Sequence, residues 1–233
     1  NGKTYTARHI LIATGGKPAV PDVPGKEYVI TSNEIFDLSE FPQRLLVVGG
    51  GYIASEFASI FNGLGSRVVQ LYRSEQILRG FDREIRDFVA GEMRKAGVDI
   101  RTNTNIASVE KTPEGLKATL EDGSVLVADQ ILYATGRAPN IKGLGFEALG
   151  GQTAKNGAIK VNERYQTSIP SIFALGDVTD RVQLTPVALA EAMVLVDDLF
   201  GKKQKKMSYE YIPTAVFTHP NIGTVGYSEE DAR

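Results

Sequence analysis

A cluster of three consecutive glycines at positions 49–51 constrains the fold of this chain more than any other feature. The apolar run at 45–48 precedes it, which is typical of a strand buried on both faces. Apolar residues then recur at helical spacing, and a second apolar run follows at 68–71. The helical positions are Ala54, Phe57, Ala58 and Phe61. The pattern predicts a strand, a glycine turn, a helix and a strand, which together form a βαβ unit.

Gly49, Gly51 and Ala54 match the G-x-G-x-x-A spacing found at dinucleotide sites. There the glycines permit a tight turn and close approach of a pyrophosphate, and the small third residue lets helix and strand pack closely. The helix N-terminus offers unpaired N–H groups to phosphate oxygens. The alternative is a glycine-rich turn of another α/β protein, but the predicted strands and helix around it favour the dinucleotide interpretation.

The end of the second strand predicts which nucleotide is bound. NAD-selective folds place an acidic residue at about 20 positions after the fingerprint to bond the ribose 2′-hydroxyl. Here residues 70–74 contain no carboxylate, and Glu75 lies beyond the strand end. Arg73 and Arg79 could instead face a 2′-phosphate, since guanidinium groups match phosphate oxygens. The sequence predicts NADPH over NADH; the alternative is that both arginines are solvated surface charges.

Composition excludes several other classes of function. The net charge is −2, from 26 basic and 28 acidic residues, so we expect no nucleic-acid partner. The basic run at 202–206 is predicted to be a solvated loop after a helix. We find no apolar run long enough to span a bilayer and no signal-peptide pattern. With no cysteine and two histidines, the chain offers neither thiol chemistry nor a metal site, and we predict no catalytic residue.

The remaining patterns describe how the chain is organised. Ala-Thr-Gly follows an apolar strand at 13–15 and again at 134–136. This repeat predicts that the chain leaves one sheet, forms a separate domain and returns to the first sheet. The alternative is that the tripeptide recurs by chance. Residues 82–95 predict an amphipathic helix, and 106–128 an antiparallel meander. The predicted apolar face of the helix comprises Ile85, Phe88, Val89 and Met93.

Two features near the C-terminal third suggest a second binding region. Asp177 follows a buried strand, at the edge where open α/β sheets bind ligands, and could accept a hydrogen bond from a ligand hydroxyl. A turn or cap aspartate is the alternative. Thr185 is predicted as the N-cap of an apolar helix with Pro186 at its first position. The positive end of such a helix stabilises an anionic ligand.

Several motifs in a fixed order resemble the FAD-dependent pyridine nucleotide-disulfide oxidoreductases, the two-dinucleotide-binding flavoprotein disulfide reductases. The resemblance covers essentially the whole chain and is strongest to the branch that reduces glutathione disulfide. The motifs begin at Ala13, Gly49, Tyr72, Leu78, Ala134, Ala174, Leu184, Phe217 and Gly223.

The resemblance implies a set of cofactor-binding residues for NADPH and FAD. Gly50, Ile53 and Glu56 would line the NADPH site, and Tyr52 would be a lid that moves aside for the nicotinamide. Gly136 and Arg137 would close the far side of that domain. Asp177 would accept a hydrogen bond from the ribityl chain of FAD, and Thr185 would face the flavin pyrimidine ring. The full implied set is Thr14, Gly49, Gly50, Gly51, Tyr52, Ile53, Glu56, Arg73, Arg79, Gly136, Arg137, Gly176, Asp177 and Thr185.

The fold class implied is α/β, with a Rossmann-like three-layer NAD(P)-binding domain that contains an antiparallel meander. This domain would be inserted into part of a second, FAD-binding α/β domain. We expect residues 1–16 and 140–208 to belong to the FAD-binding part, 17–139 to the NADPH-binding domain and 209–233 to the start of a dimer-interface domain. A chain that opens in mid-sheet, without a redox cysteine pair, is expected to be a fragment.

The resemblance implies an oxidoreductase that passes electrons from NADPH through FAD to glutathione disulfide, in a cytoplasmic homodimer. The fragment alone is expected to be inactive. Alternatives within the class are the trypanothione, mercuric and dihydrolipoamide branches, although the missing carboxylate disfavours the last. Alternatives outside it are a non-catalytic NADPH-binding module and an NADPH-dependent reductase without a disulfide partner.

Overall fold

A computed structural model describes residues 2–201 and 206–233 of the chain. It divides into two compact units. Unit 1 comprises Asn1–Lys17 and Arg137–Glu210, and unit 2 comprises Pro18–Gly136 and Tyr211–Arg233. Most of the basic run at 202–206, predicted as a solvated loop, lies outside the described residues. The division into four segments with assigned cofactors stays a prediction.

The strands in chain order are β1 (Ile10–Ile12), β2 (Gly16–Pro18), β3 (Arg44–Val48), β4 (Arg67–Leu71), β5 (Asp99–Arg101), β6 (Ile106–Thr112), β7 (Gly115–Leu120), β8 (Val125–Ala128), β9 (Gln130–Tyr133), β10 (Arg137–Pro139), β11 (Ile172–Ala174), β12 (Thr214–Val216) and β13 (Ile222–Thr224). The helices are α1 (Tyr52–Gly63), α2 (Arg83–Lys95), α3 (Thr185–Phe200) and α4 (Glu229–Ala232). Short 3₁₀ helices occur at Lys26–Tyr28, Ile35–Asp37, Glu147–Leu149 and Gly176–Thr179.

Unit 2 is built on a parallel sheet with the strand order β5-β4-β3-β9. Alternate residues of β3 serve opposite faces, as the strand period of two requires. Leu45 and Val47 join the core cluster that contains α1 and α2, whereas Leu46 and Val48 join the cluster that contains the meander. The sheet therefore lies between a helical layer and the antiparallel sheet β6-β7-β8. The predicted α/β fold, with its parallel sheet and meander, is confirmed.

Helix α2 begins at Arg83, close to the prediction, but its buried face differs from the predicted one. Val89 and Met93 are buried as expected, whereas Ile85 and Phe88 are 41% and 58% exposed. Ala90 is buried in their place. The core-facing stripe is therefore narrower than the apolar pattern suggested.

The C-terminal segment of the chain packs within unit 2. Strands β12 and β13 form an antiparallel hairpin, and Val216 and Ile222 join the same core cluster as α1. Val216 is completely buried. Although the sequence placed 209–233 in a separate domain, this hairpin thus shares its apolar contacts with the βαβ unit.

In unit 1, β1 pairs in parallel with β11, and β2 pairs with β10. The carboxyl ends of parallel strands meet at one edge of a sheet, so the segments that follow Ile12 and Ala174 start at the same edge. Helix α3 contributes Val194 and Leu195 to a core cluster with Phe173 of β11.

Candidate functional site

The glycine turn, Gly49–Gly51, connects β3 to α1, and each glycine has a different reason to lack a side chain. Gly49 has φ +143°, and a Cβ there would lie 2.3 Å from the carbonyl oxygen of Ala134. A Cβ on Gly50 would lie 2.4 Å from the ring of Tyr72. Around Gly51, no described atom lies within 4 Å of the Cβ position. Packing therefore explains the first two glycines, whereas Gly51 leaves open space where a ligand could approach the backbone.

Helix α1 starts directly after this turn. Gly51 is its N-cap, and no side chain of the described residues caps the helix. The N–H groups of its first turn are therefore suited to an anion. Ala54 is fully buried, and the Cβ position of Gly49 lies only 3.1 Å from its Cβ, so the small third residue does permit close packing. Tyr52 is 37% exposed, and Ile53 packs against the core.

The arginine loop, residues 72–82, folds back onto the glycine turn. The Leu78 N–H donates to the carbonyl oxygen of Gly50 at 2.6 Å. Arg86 of α2 donates from Nε to the Ile77 carbonyl and from Nη2 to the Gln76 carbonyl, both at 2.8 Å. Ile77 and Leu78 are almost fully buried. The path of the loop is thus fixed at the turn and at α2.

Arg73 and Arg79 both lie in this loop and are exposed. Neither guanidinium group has a hydrogen-bond or ion-pair partner among residues 2–201 and 206–233. Glu75, between them, is also exposed. The structure therefore places two unengaged cations on a loop attached to the turn, where both can contact an anion.

A contact that the sequence did not predict involves Glu56 of α1. Its Oε1 accepts a hydrogen bond of 2.9 Å from the backbone N–H of Phe217, which follows β12. Of the apolar run at 215–217 only Val216 is buried, and no sequence pattern indicated the partner of the Phe217 N–H. Glu56, which is predicted to line the NADPH site, is therefore hydrogen-bonded to the C-terminal hairpin.

Gly136 and Arg137 lie in different units. Gly136 has φ +140°, and its carbonyl accepts from the Ala19 N–H within unit 2. In unit 1, Arg137 lies with its Nε 3.9 Å from Asp177 Oδ2, and its Nη2 donates to the Gly16 carbonyl at 2.5 Å. The expectation that both residues close the far side of the NADPH-binding domain stays a prediction; within unit 1, Arg137 lies beside the Asp177 carboxylate and the Gly16 carbonyl.

The carboxyl edge of β1 and β11 gathers the other predicted residues of unit 1. Thr14 donates from Oγ1 to the Asn140 carbonyl at 2.7 Å, and the Asn140 N–H donates to the Gly15 carbonyl at 2.9 Å. A Cβ on Gly16 would lie 3.5 Å from the Cβ of Asp177. Thr14 and Asp177 therefore both lie at this edge, where ligands bind in open α/β sheets.

The aspartate turn, Gly176–Thr179, is held by a buried carboxylate. Gly176 has φ +72°, and its N–H donates to Oε2 of Glu191 at 2.6 Å. Glu191 is a residue of α3 and is 1% exposed. Its Oε1 accepts from the Tyr209 hydroxyl at 2.5 Å. Glu191 was not predicted from the sequence, because a glutamate within an apolar helix gives no indication of the turn that it contacts.

Arg181 and two tyrosines complete this network. Arg181 donates from Nη1 to the Tyr209 hydroxyl at 2.9 Å, and its guanidinium lies 5.4 and 5.5 Å from the ring centres of Tyr209 and Tyr165. Burial, with the hydrogen bond to Glu191, raises the pKa of Tyr209 above its usual value. A neutral phenol therefore connects the carboxylate to the cation.

Thr185 is exposed and begins α3, so the predicted position of the helix cap was wrong by one residue. Leu184 is the N-cap, and its carbonyl already accepts the N–H groups of Val187 and Ala188. Pro186 is consequently the second helical residue. The helix still presents an N-terminus without a side-chain cap in the part of the chain that is described.

The described ranges hold no candidate for two further kinds of feature, a metal site and a membrane-spanning helix. No group of three or more His, Cys, Asp or Glu side chains there could hold a metal ion. None of the described helices has the length and apolar character needed to cross a bilayer.

Residues 1–192 match the sequence profile of the family described as pyridine nucleotide-disulphide oxidoreductase. A glutathione reductase of Burkholderia cepacia is 47% identical over 232 residues, which is 100% of this chain and 52% of that protein. A trypanothione reductase of Trypanosoma congolense is 44% identical over 230 residues, 97% of this chain and 47% of that protein.

Among solved structures, the HOCl-induced flavoprotein disulfide reductase RclA from Escherichia coli matches with a TM-score of 0.91 at 34% identity, covering 97% of this chain and 52% of that chain. The chain thus spans about half the length of the relatives that it matches. Members of the family use FAD and NADPH, which confirms the predicted cofactors at family level. The profile match and these identities show that the chain belongs to the pyridine nucleotide-disulphide oxidoreductase family.

Proposed function

We propose that this chain carries the NADPH site and one part of the FAD site of a flavoprotein disulfide reductase. The hydrogen bond from the Leu78 N–H to the Gly50 carbonyl, at 2.6 Å, is the observation that carries the NADPH assignment. It ties Arg79, the next residue, to the glycine turn. One nucleotide could therefore place its pyrophosphate at the turn and its 2′-phosphate at the arginine loop.

The residues of unit 2 would bind and orient the nucleotide. The open backbone at Gly51 and the uncapped N-terminus of α1 would accept the pyrophosphate. Arg73 and Arg79 would neutralise the 2′-phosphate, and Gly50, Ile53 and Glu56 would line the remainder of the site. Gly136 would close its far side, and the part-exposed Tyr52 would cover the nicotinamide position.

The residues of unit 1 would hold part of FAD, which supplies the two-electron chemistry between NADPH and a disulfide when it is bound. Asp177 would accept a hydrogen bond from a ribityl hydroxyl, and the positive charge of Arg137, 3.9 Å away, would balance the charge of the carboxylate. Thr14 lies at the same edge, beside Asn140. The N-terminus of α3 at Thr185 would stabilise negative charge on the flavin pyrimidine ring.

For the whole protein, we propose that NADPH reduces glutathione disulfide to two molecules of glutathione in a cytoplasmic homodimer. The glutathione reductase relative at 47% identity supports this substrate. The trypanothione reductase relative at 44% makes trypanothione disulfide the second candidate. This chain contains no cysteine, so it offers no dithiol of its own, and we propose that it does not reduce disulfides by itself.

The test is calorimetric titration of the chain with NADPH and NADH at one ionic strength. We expect selective binding of NADPH. Arg73→Ala should weaken NADPH by about 1–3 kcal/mol, because it removes a charge-assisted contact to the 2′-phosphate, and should leave NADH nearly unchanged. Arg67→Ala is the matched control, because Arg67 is exposed at the opposite end of β4. An equal loss for both nucleotides would contradict the arginine assignment.

A further inference from the structure

Gln70 is a polar residue in an unexpected place. It lies in β4 between Val69 and Leu71, and it is completely buried. Burial of an amide is unfavourable unless its hydrogen-bonding groups find partners. No sequence pattern associates this side chain with the glycine turn.

The side chain of Gln70 reaches the glycine turn. Its Nε2 donates to the carbonyl oxygen of Gly49 at 3.0 Å and to Ser55 Oγ at 3.2 Å. The Gly49 N–H in turn donates to the carbonyl of Leu71 at 2.9 Å. The first glycine of the turn is thus bound on both of its backbone polar groups by two consecutive residues of β4.

This contact determines where the next peptide N–H points. The Gly49 carbonyl and the Gly50 N–H belong to one planar trans peptide, in which they point in opposite directions. Because Gln70 holds the carbonyl towards the buried side, the Gly50 N–H faces away from it. In the described chain, no acceptor takes that N–H. An outward, unpaired N–H in this turn is a donor available to an anion.

The other half of the Gln70 amide is unsatisfied. Its Oε1 is buried and has no hydrogen-bond partner among the described residues. A methionine of similar size would avoid this cost. The retention of an amide with one unsatisfied oxygen is explained if its donor has a role that an apolar side chain cannot perform.

We propose that Gln70 is a positioning residue for the dinucleotide site: its amide N–H holds the Gly49 carbonyl inward, so that the Gly50 N–H faces the pyrophosphate. This inference rests on the proposed function, because it assumes that the glycine turn binds NADPH. It adds that a side chain of β4, the neighbouring strand, determines the direction in which the backbone N–H of Gly50 points.

The experiment is titration of the 233-residue chain and its variants with NADPH and with adenosine 2′-monophosphate, which carries the 2′-phosphate but no pyrophosphate. Gln70→Met should weaken NADPH about tenfold and leave adenosine 2′-monophosphate unchanged, because only the pyrophosphate donors are misaligned. Ser55→Ala, which keeps the Gly49 contact, should bind NADPH like the unaltered chain. Ser59→Ala is the matched control, since Ser59 Oγ is buried without a partner among the described residues.

A second variant covers the case in which Gln70→Met fails to fold by circular dichroism. Gln70→Glu preserves the size of the side chain, but an ionised carboxylate cannot donate to the Gly49 carbonyl. Its NADPH affinity relative to the unaltered chain should fall as the pH rises through the pKa of the buried carboxyl, which burial raises, and should recover at lower pH, because the protonated carboxyl donates again.

The outcomes separate the two proposals. If the unaltered chain binds no NADPH, the proposed function fails, and this inference fails with it. If the chain binds NADPH but Gln70→Met binds it equally well, only the inference is overturned. An equal loss of both ligands in Gln70→Met would also overturn it, because that result indicates general destabilisation. For Gln70→Glu, the inference would also be overturned if the ratio of its NADPH affinity to that of the unaltered chain did not change with pH.

Discussion

The glycine turn of unit 2 and the aspartate turn of unit 1 are each held by a buried side chain, but the hydrogen bond runs in opposite directions in the two turns. Each follows a parallel strand and starts with a glycine at positive φ, +143° at Gly49 and +72° at Gly176. A buried side chain holds each glycine. Gln70 donates to the carbonyl of Gly49, whereas Glu191 accepts the N–H of Gly176.

The difference corresponds to the chemistry proposed for each turn. A donor beneath the glycine turn leaves backbone N–H groups facing outward, which suits a pyrophosphate. An acceptor beneath the aspartate turn engages the N–H of Gly176, so the turn presents the carboxylate of Asp177, which suits a ligand hydroxyl. In each turn, the buried side chain engages one backbone group and leaves groups of the other kind facing outward. These are N–H donors at the glycine turn and a carboxylate acceptor at the aspartate turn.

The two buried groups also differ in charge. Gln70 is neutral and leaves one oxygen unsatisfied, whereas Glu191 has a backbone N–H on one oxygen and the Tyr209 hydroxyl on the other. Arg181 approaches the carboxylate only through Tyr209. A buried carboxylate requires such partners, because an unpaired buried charge is strongly unfavourable. The aspartate turn should therefore be sensitive to mutation and pH in ways that the glycine turn is not.

Gly49→Ala gives the largest expected effect, and together with Gly176→Ala it tests the comparison between the two turns at backbone level. Gly49→Ala should lower the free energy of unfolding by about 4 kcal/mol, because it combines a forbidden φ with a 2.3 Å clash against Ala134. Gly176→Ala should cost about 2 kcal/mol, since its Cβ would lie 3.3 Å from that of Ala188. Urea titration followed by circular dichroism measures both.

Gly51→Ala is the control for that series. Its φ of −83° suits any residue and its Cβ would enter open space, so stability should change by less than about 1 kcal/mol. NADPH affinity should nevertheless fall, because the methyl group occupies the proposed pyrophosphate position. A stability loss as large as that of Gly49→Ala would show that the turn is packed differently.

These glycines also show how far the sequence could predict the molecule. The spacing of Gly49, Gly51 and Ala54 identifies the turn, because local backbone geometry dictates those residues. Gln70 and Glu191 could not be found in this way. Their partners lie 21 and 15 positions away, and neither strand nor helix periodicity encodes a hydrogen bond across elements.

The errors in the prediction have the same origin. The pattern of α2 included Ile85 and Phe88, but tertiary packing buries Ala90 and leaves both exposed. Thr185 has the right residue type for a cap, yet the Leu184 carbonyl already accepts the first helical N–H groups.

Glu191→Ala is the next largest expected effect, and it tests the buried groups rather than the glycines. It leaves the Gly176 N–H without its acceptor, so we expect a local loss of about 2–3 kcal/mol. Amide hydrogen exchange measures this site by site. Protection of the Gly176 amide should fall, while that of the Gly49 amide, which bonds to Leu71, should not change.

Glu191→Gln provides the matched variant. Its amide oxygen can still accept from Gly176, so only the contact with the Tyr209 hydroxyl is lost and the cost should be about 1 kcal/mol. If both variants reduced Gly176 protection equally, the carboxylate rather than the acceptor geometry would be the essential property.

The smallest expected effect concerns pH. The pKa of Tyr209 is raised by burial and by its bond to Glu191, so folding favours the neutral phenol. Its contribution to stability is therefore complete below the unfolded pKa, about 10, and is lost as the pH rises through the higher folded value. Arg181 and Tyr165 also face this hydroxyl, and they reduce the shift by donating to it. Gln70 has no titratable group, so the glycine turn should show no matching change.

Phenolate absorbance of the chain, minus that of Tyr209→Phe, isolates this titration from the other tyrosines. The midpoint of the difference should lie above about 10, and NADPH affinity should be the same for both proteins at pH 8, because the substitution lies in unit 1. A midpoint at or below the ordinary value would mean that the bond between Tyr209 and Glu191 does not stabilise the neutral phenol. The aspartate turn would then lack the pH sensitivity that distinguishes it from the glycine turn.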